Sequence, residues 1–343
     1  MHYPFPFSII TNITMSSNNN TSIIPAKDWF TAGARLPYDP VTKSVQGAIQ
    51  PPPANSLFVF NKLIVYPKQD PKSVISFLPG FPLGSYDWAK IDALIEEQHP
   101  LDRLYVEYIG QGESDKPENY PYSTFERADL VEAIWRHHHI DSTFIVTFDY
   151  SSLVAMELLR RQQEKVDKGL KPATVITKVL FINGGYFPDG HSHPIFTTPL
   201  LKTRLGKRST IRAQTSDYVF NRMLKGLWSK KYQVSEAELA EVRDAIRRRN
   251  GMLFLHYAAG FVDEHKANSG RLNLLPIVEK MHPNVDFSIV GSDKDQFEPR
   301  QVTLAKERLS KYGVDIKVLP GGHMITMEQP QLLADTIITI AKT

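Results

Sequence analysis

The feature that most constrains this chain is a repeated junction: a short run of Val, Ile, Leu and Phe that stops abruptly at a turn carrying glycine, proline or a carboxylate. Val74-Ile-Ser-Phe-Leu78 runs into Pro79-Gly-Phe-Pro82, and Arg103-Leu-Tyr-Val-Glu107 into Gly110-Gln-Gly112. Thr143-Phe-Ile-Val-Thr147 leads to Asp149, and Lys178-Val-Leu-Phe-Ile182 to Asn183-Gly-Gly185. Near the C-terminus, Val285–Val290 precedes Gly291 and Asp315–Leu319 precedes Pro320-Gly-Gly322. Runs that are apolar throughout, rather than alternating, belong to strands covered on both faces. Helical stretches at 124–139, 151–165, 301–312 and 328–341 lie between several of them. This repetition predicts a doubly wound, mostly parallel α/β sheet. Leu57–Phe60 and Leu63–Tyr66, separated by Asn61-Lys62, read as an opening antiparallel pair, which makes eight strands. In such sheets the ligand crevice lies at the carboxyl ends of the strands. The residues of chemical interest all fall there.

One stretch breaks the rhythm. Residues 186–275 offer helical patterns and no convincing strand, and Ser235-Glu-Ala-Glu238 has the form of a capping box. The expectation is a helical cap inserted into a core made of 56–185 and 276–343. Residues 1–55 read as a loose N-terminal tail. Its apolar start is short, broken by Pro4 and Pro6 and without a basic flank, so it makes a poor secretory signal. No other apolar run is long enough for a bilayer span. The chain therefore reads as soluble and cytoplasmic, without stable membrane insertion. Its 40 basic and 37 acidic side chains nearly cancel, which gives no bulk attraction to nucleic acid or an anionic membrane. With no cysteine, disulfides, thiolate metal sites and Cys nucleophiles are excluded.

The sharpest local signal is Phe144-Ile-Val-Thr-Phe-Asp149-Tyr-Ser-Ser-Leu153. A strand ends, one carboxylate sits at the turn and a helix begins at once, with small residues two before and two after it (Thr147 and Ser151). A nucleophile elbow needs such small neighbours. The helix N-terminus would also favour the ionised carboxylate. Taken alone, Asp149 reads equally as a helix N-cap. Other segments tip the balance. Pro79-Gly-Phe-Pro82 follows an early strand, where the Phe81 amide, together with that of Tyr150, would form an oxyanion hole. Gly291-Ser-Asp293-Lys-Asp295 follows a later strand and Gly321-Gly-His323 the last. Nucleophile, acid, histidine is the chain order of α/β-hydrolases.

The segments Pro79–Trp88, Gly110-Gln-Gly-Glu-Ser-Asp-Lys-Pro117, Phe148-Asp-Tyr-Ser151 and Asn183-Gly-Gly-Tyr-Phe-Pro188 resemble the epoxide hydrolase and haloalkane dehalogenase branch of the α/β-hydrolase superfamily. Within it, the chain looks closest to the mesoderm-specific transcript proteins. The resemblance runs from residue 56 to the C-terminus. It implies an α/β-hydrolase fold with a cap, Asp149 as nucleophile, His323 as base and Asp295 as the acid that orients it. Asp295 is preferred to its rival Asp293 because Asp295-x-x-x-Pro299 matches the family's spacing. The chain departs from the family pattern at Pro79 and Phe148, where His is usual, at Ser151, where Gly is usual, and at Glu107, where Asp is usual.

A carboxylate displaces a leaving group at saturated carbon and gives an alkyl-enzyme ester, which water activated by a histidine then hydrolyses. No cofactor or metal is required, and a small apolar molecule is the expected partner. Dehalogenases of the branch use a Trp after the nucleophile and often an Asn in the oxyanion loop; Tyr150 and Phe81 stand there, which favours an epoxide over a halide. Dehalogenation and ester or lactone hydrolysis are the alternatives on the same fold, and the departures at Pro79, Phe148 and Ser151 leave open a catalytically silent relative that binds a ligand or partner. Tyr218 and Tyr257 resemble the cap tyrosines that donate to an epoxide oxygen, and each also fits a packing role. Trp88, in the oxyanion-loop motif, is a further candidate for substrate contact. His137-His-His139 suits a helix C-terminus. His191-Ser-His193 lacks accompanying ligands at metal spacing, and Gly110-Gln-Gly112 lacks the third glycine of a dinucleotide loop.

Overall fold

The computed structural model describes residues 23–46, 56–66, 73–191 and 198–343. The first ten residues, the polar stretch from Ser16 to Thr21, and His193 lie outside them. Strands β1 (Ala34–Asp39), β2 (Ser44–Val45), β3 (Leu57–Ile64), β4 (Ser73–Leu78), β5 (Arg103–Val106), β6 (Ser142–Phe148), β7 (Val175–Ile182), β8 (Asp286–Ser292) and β9 (Asp315–Leu319) form one sheet. Their order is β2-β1-β3-β5-β4-β6-β7-β8-β9. Everything from β5 to β9 along that order pairs parallel, whereas β2-β1-β3-β5 pair antiparallel.

The opening differs from expectation. Leu57–Phe60 and Leu63–Tyr66 are not two strands, because β3 runs straight through Asn61 and Lys62. Both polar residues are buried, and each finds a partner that makes burial tolerable. His138 Nε2 lies 2.8 Å from Asn61 Oδ1. Lys62 Nζ donates to Asp92 Oδ2 at 2.7 Å and sits 3.9 Å from the Trp29 ring centroid. The antiparallel partner of β3 is instead β1, inside the segment read as a tail. The helix Ala26–Thr31 ahead of it buries Trp29 and Phe30. Pro37 in the middle of β1 hides the strand from a pattern reading, since proline removes a ladder donor. The sheet has nine strands rather than eight for these reasons.

Successive β6 side chains point to opposite faces of the sheet. Ile145 joins a core with Trp135 and Val154, from helices Thr124–His137 and Ser151–Asp167. Phe144, Val146 and Phe148 join another with Ile91, Trp88, Leu333 and Ile337. Among the described residues no strand occurs between β7 and β8; helices Arg204–Thr215, Asp217–Leu224, Glu236–Arg247, Met252–Ala258 and Phe261–Ala267 fill that interval. Half of the capping box forms: Ser235 Oγ accepts the Glu238 N–H at 3.1 Å, while the Glu238 carboxylate accepts from Lys90 and Tyr232 instead of the Ser235 N–H. No described helix is long and apolar enough to cross a membrane.

Candidate active site

The turn between β6 and the helix Ser151–Asp167 puts Asp149 at φ 54°. Left-handed backbone is costly for a residue with a side chain and persists where the surroundings enforce it. Here the Asp149 N–H donates to Ile182 O and its carbonyl accepts the Ser152 N–H, both at 3.0 Å. Helix and neighbouring loop approach closely: a Cβ on Gly184 would sit 2.6 Å from that of Ser152.

The departures from the family pattern support one another. Ser151 Oγ donates to Pro79 O, so with Tyr108 Oη at 3.0 Å it is left to accept from the phenol. The hydroxyl thus ties the elbow to the oxyanion loop instead of crowding it. Phe148 packs against Gly80, where any Cβ would fall 2.3 Å from its ring, and its ring centroid is 5.5 Å from that of His323. Glu107 is buried and Oε1 accepts the Ser85 N–H at 2.8 Å. The longer side chain fits because Gly84 and Gly112 leave it room; Cβ atoms there would lie 2.1 Å from its oxygens. Burial pushes its carboxyl up to about 7, against the pull of the Ser85 amide and Lys116.

Asp149, His323 and Asp295 meet at the carboxyl edge of the sheet, each at most 6% exposed. Asp149 Oδ2 accepts the Phe81 N–H at 2.9 Å. Asp149 Oδ1 lies 3.4 Å from His323 Nε2, and His323 Nδ1 is 3.1 Å from both Asp295 oxygens. Asp295 Oδ1 is in turn held by the amides of Phe297 and Glu298. Asp293 faces elsewhere, accepting the Gly321 N–H at 3.0 Å. The Tyr150 amide follows Asp149 at the start of the helix. Burial works against a charged His323, but the Asp295 carboxylate and the hydrogen bonds to Asp149 and Asp295 outweigh it and hold the imidazolium well above its usual range.

A cavity of about 670 Å³ opens over Asp149 and His323, walled by Phe81, Leu200, Leu201, Leu255, Phe261 and Phe297, with Ser209, Arg222 and Gln296 as its further polar members. Three residues expected at the substrate are not on that wall. Tyr218 points outward, 74% exposed. Tyr257 stacks on Tyr122 with rings 5.9 Å apart, and its hydroxyl accepts from Lys207. Trp88 is fully buried between Phe77 and Phe148. Tyr218 and Tyr257 stand off the wall because a short helix offers only one of its sides to the cavity, whereas Trp88 ends the turn Ser85–Trp88 and packs into the core.

Three other residues had no assigned role in the sequence. Asp87 Oδ2 accepts the Gly80 N–H at 3.0 Å and Gln111 Nε2 donates to Gly80 O at 2.8 Å. Together they hold both backbone polar groups of Gly80, the residue that precedes Phe81. Burial, with Asp149 and Glu107 nearby, raises the Asp87 carboxyl well above the ordinary range despite the Gly80 amide. Asn183, at the end of β7, donates to His323 O at 2.8 Å and accepts the Ser292 N–H at 2.8 Å, tying two strand ends to the histidine loop. Their position inside the quoted motifs was the only signal. Among the described residues no group of three or more His, Asp or Glu could hold a metal ion.

Residues 77–336 match the alpha/beta hydrolase family. The chain belongs to that family. This family member is 33% identical to the human mesoderm-specific transcript homolog protein over 197 residues, which is 56% of each chain; the mouse protein gives 32% over the same span. The match thus spans little more than half the length of these relatives. Among solved structures, the haloalkane dehalogenase DbeA from Bradyrhizobium elkani superposes with a TM-score of 0.61 at 17% identity, over 89% of this chain and 96% of that one. An esterase from Exiguobacterium antarcticum gives 0.59 at 16%, over 84% and 97%. At these identities the likeness is one of fold.

Proposed function

We propose that the chain is a cofactor-independent hydrolase in which Asp149 attacks a saturated carbon of a small apolar substrate, an epoxide foremost. The observation that carries this reading is that a carboxylate, not a hydroxyl, occupies the elbow, with one oxygen on the Phe81 amide and the other toward His323. Attack by Oδ1 opens the ring and leaves an alkyl ester on Asp149 and an alkoxide on the substrate. Because Tyr218 and Tyr257 do not line the cavity, the alkoxide takes its hydrogen bond from Ser209, Gln296 or Arg222. The alkoxide is protonated from solvent, and the imidazolium of His323 releases its own proton there. Water then attacks the ester carbonyl and gives a proton to His323, and the resulting oxyanion sits on the amides of Phe81 and Tyr150. Its collapse breaks the ester C–O bond; the departing diol oxygen takes the proton back from His323, and Asp149 ionises again.

Alkylation also times the base. The free enzyme's anionic Asp149 is one of the groups that keeps His323 protonated. Esterification removes that charge, so the imidazole releases its proton more readily once an ester awaits hydrolysis. Asp295 holds the tautomer and supports the imidazolium.

The test is rapid-quench incubation of His323→Gln with an epoxide panel, followed by peptide mass analysis. Expected is an adduct of the whole epoxide mass on the peptide carrying Asp149. Chloride or bromide release from haloalkanes, with the alkyl group alone on that peptide, would instead favour the dehalogenase reading. Ester hydrolysis with no trapped adduct would overturn the carboxylate mechanism.

A further inference from the structure

Between Asp189 and Asp217 the chain contains no acidic residue, while residues 198–216 carry five basic ones. The helix Arg204–Thr215 lies in this stretch. Its exposed positions are 204, 205, 208, 211, 212 and 215, the one-sided spacing of a surface helix. That side presents Arg204, Arg208 and Arg212 together with two large aliphatic residues, Leu205 at 61% and Ile211 at 51% exposure. No ion pair or hydrogen bond engages these three guanidinium groups among the described residues, in contrast to Lys202, which pairs with Asp263, and Arg247, which pairs with Asp217. The opposite side of the same helix supplies Gly206 and Ser209 to the wall of the cavity.

We propose that this outer face of the cap docks on an anionic lipid bilayer. Charge decides against a neutral partner: three unpaired guanidinium groups on one helix face, with no carboxylate among them, complement a negatively charged surface. The aliphatic pair decides against a merely polyanionic one. Leucine and isoleucine held out in water between arginines gain by entering the acyl boundary while the guanidiniums stay among headgroups. The near-neutral total charge conceals this patch because the compensating acids lie elsewhere in the chain. A bilayer on this face would bring apolar molecules dissolved in it to the helix that walls the cavity. The proposal does not depend on the chemistry assigned to Asp149.

Vesicle co-sedimentation of the full chain tests it, comparing phosphatidylcholine vesicles with ones that also contain phosphatidylserine. Binding is expected to the second kind and to weaken as salt is raised. The triple variant Arg204→Gln/Arg208→Gln/Arg212→Gln is expected to bind about 100-fold more weakly, at roughly five-fold per arginine. Leu205→Ser/Ile211→Ser should abolish the binding that survives at high salt. All five positions are exposed, and circular dichroism checks that the variants fold. Asp149→Ala should bind as the unsubstituted chain does. No binding to phosphatidylserine vesicles, or binding that the triple variant leaves intact, would overturn the proposal. So would binding insensitive to the aliphatic substitutions and fully competed by heparin, which marks a polyanion surface.

Discussion

The elbow side of the cavity and the cap side are built by opposite means. On the elbow side, hydrogen bonds at fixed positions set the geometry: Asp87 and Gln111 clamp Gly80, Ser151 ties the elbow to Pro79, and Asn183 holds the His323 loop. On the cap side, the cavity is walled mainly by Leu200, Leu201, Met223, Leu227 and Leu255, whose contacts are interchangeable in kind and tolerate volume-conserving change. The difference separates two tasks. Bond making needs atoms held within fractions of an ångström, whereas admitting an apolar molecule needs only surface of the right character. Substitutions should therefore act steeply and individually on the first side and shallowly on the second.

The steepest expected effect is Asp149→Ala, which should lower turnover by about 10⁶-fold, the scale seen when a covalent nucleophile is removed, and leave no adduct on that peptide. A variant that still turns over substrate at a tenth of the normal rate would erase the contrast. Next is Gly84→Ala. At φ 72°, with Glu107 Oε1 2.1 Å from the new Cβ, it combines backbone strain with a clash against a buried carboxyl and should cost about 3 kcal/mol of stability, read as a shifted denaturant midpoint. Alanine at Gly226, where nothing lies within 4 Å, should change stability by under about 0.5 kcal/mol.

The same contrast governs what could be read from the sequence. The strand-turn-helix rhythm and the order Asp149, Asp295, His323 were legible because a side chain at a tight strand-to-helix turn demands small neighbours and each of the three follows a strand end, and those demands leave local traces. The β1 strand was not, since Pro37 breaks its pattern and its burial depends on β3, distant in sequence. Asp87 and Asn183 were missed because a residue that orients a peptide leaves no spacing rule. That Tyr218 and Tyr257 stand off the cavity wall was not legible, because resemblance carries their identity but not their rotation about a helix, and only packing determines which side faces inward.

A smaller effect should appear in the pH dependence. His323 is held protonated above its usual value, mainly by Asp295 and Asp149 against the penalty of burial. Because this folded value is raised, the stability it contributes is complete below the unfolded value near about 6.5 and is lost as pH rises through the folded one. For catalysis the sign is separate. Adduct formation needs Asp149 ionised and tolerates an imidazolium, so its single-turnover rate should stay level across neutral pH. Ester hydrolysis needs the free base and should rise about tenfold per pH unit until the imidazole of the alkyl-enzyme is deprotonated. That midpoint should lie below the His323 titration of the free enzyme followed by NMR. Equal midpoints would mean that the Asp149 charge does not hold the proton.

The smallest expected effect is on the cap. Tyr218→Phe removes only a hydroxyl that is already in water, so turnover and stability should be unchanged within error. Tyr257→Phe loses one hydrogen bond, from the solvent-facing ammonium of Lys207 at 3.2 Å, while its stacking on Tyr122 survives. Turnover on an epoxide should therefore change less than about twofold, since a hydroxyl off the cavity wall has no differential contact with the transition state. This pair of substitutions probes the cap more sharply than a truncation would, because each keeps the ring and its packing. A loss of about 100-fold in either variant, the scale of a lost general acid, would mean that the cap closes on substrate by rotating that tyrosine inward. The cap would then share the atomic precision assigned here to the elbow alone.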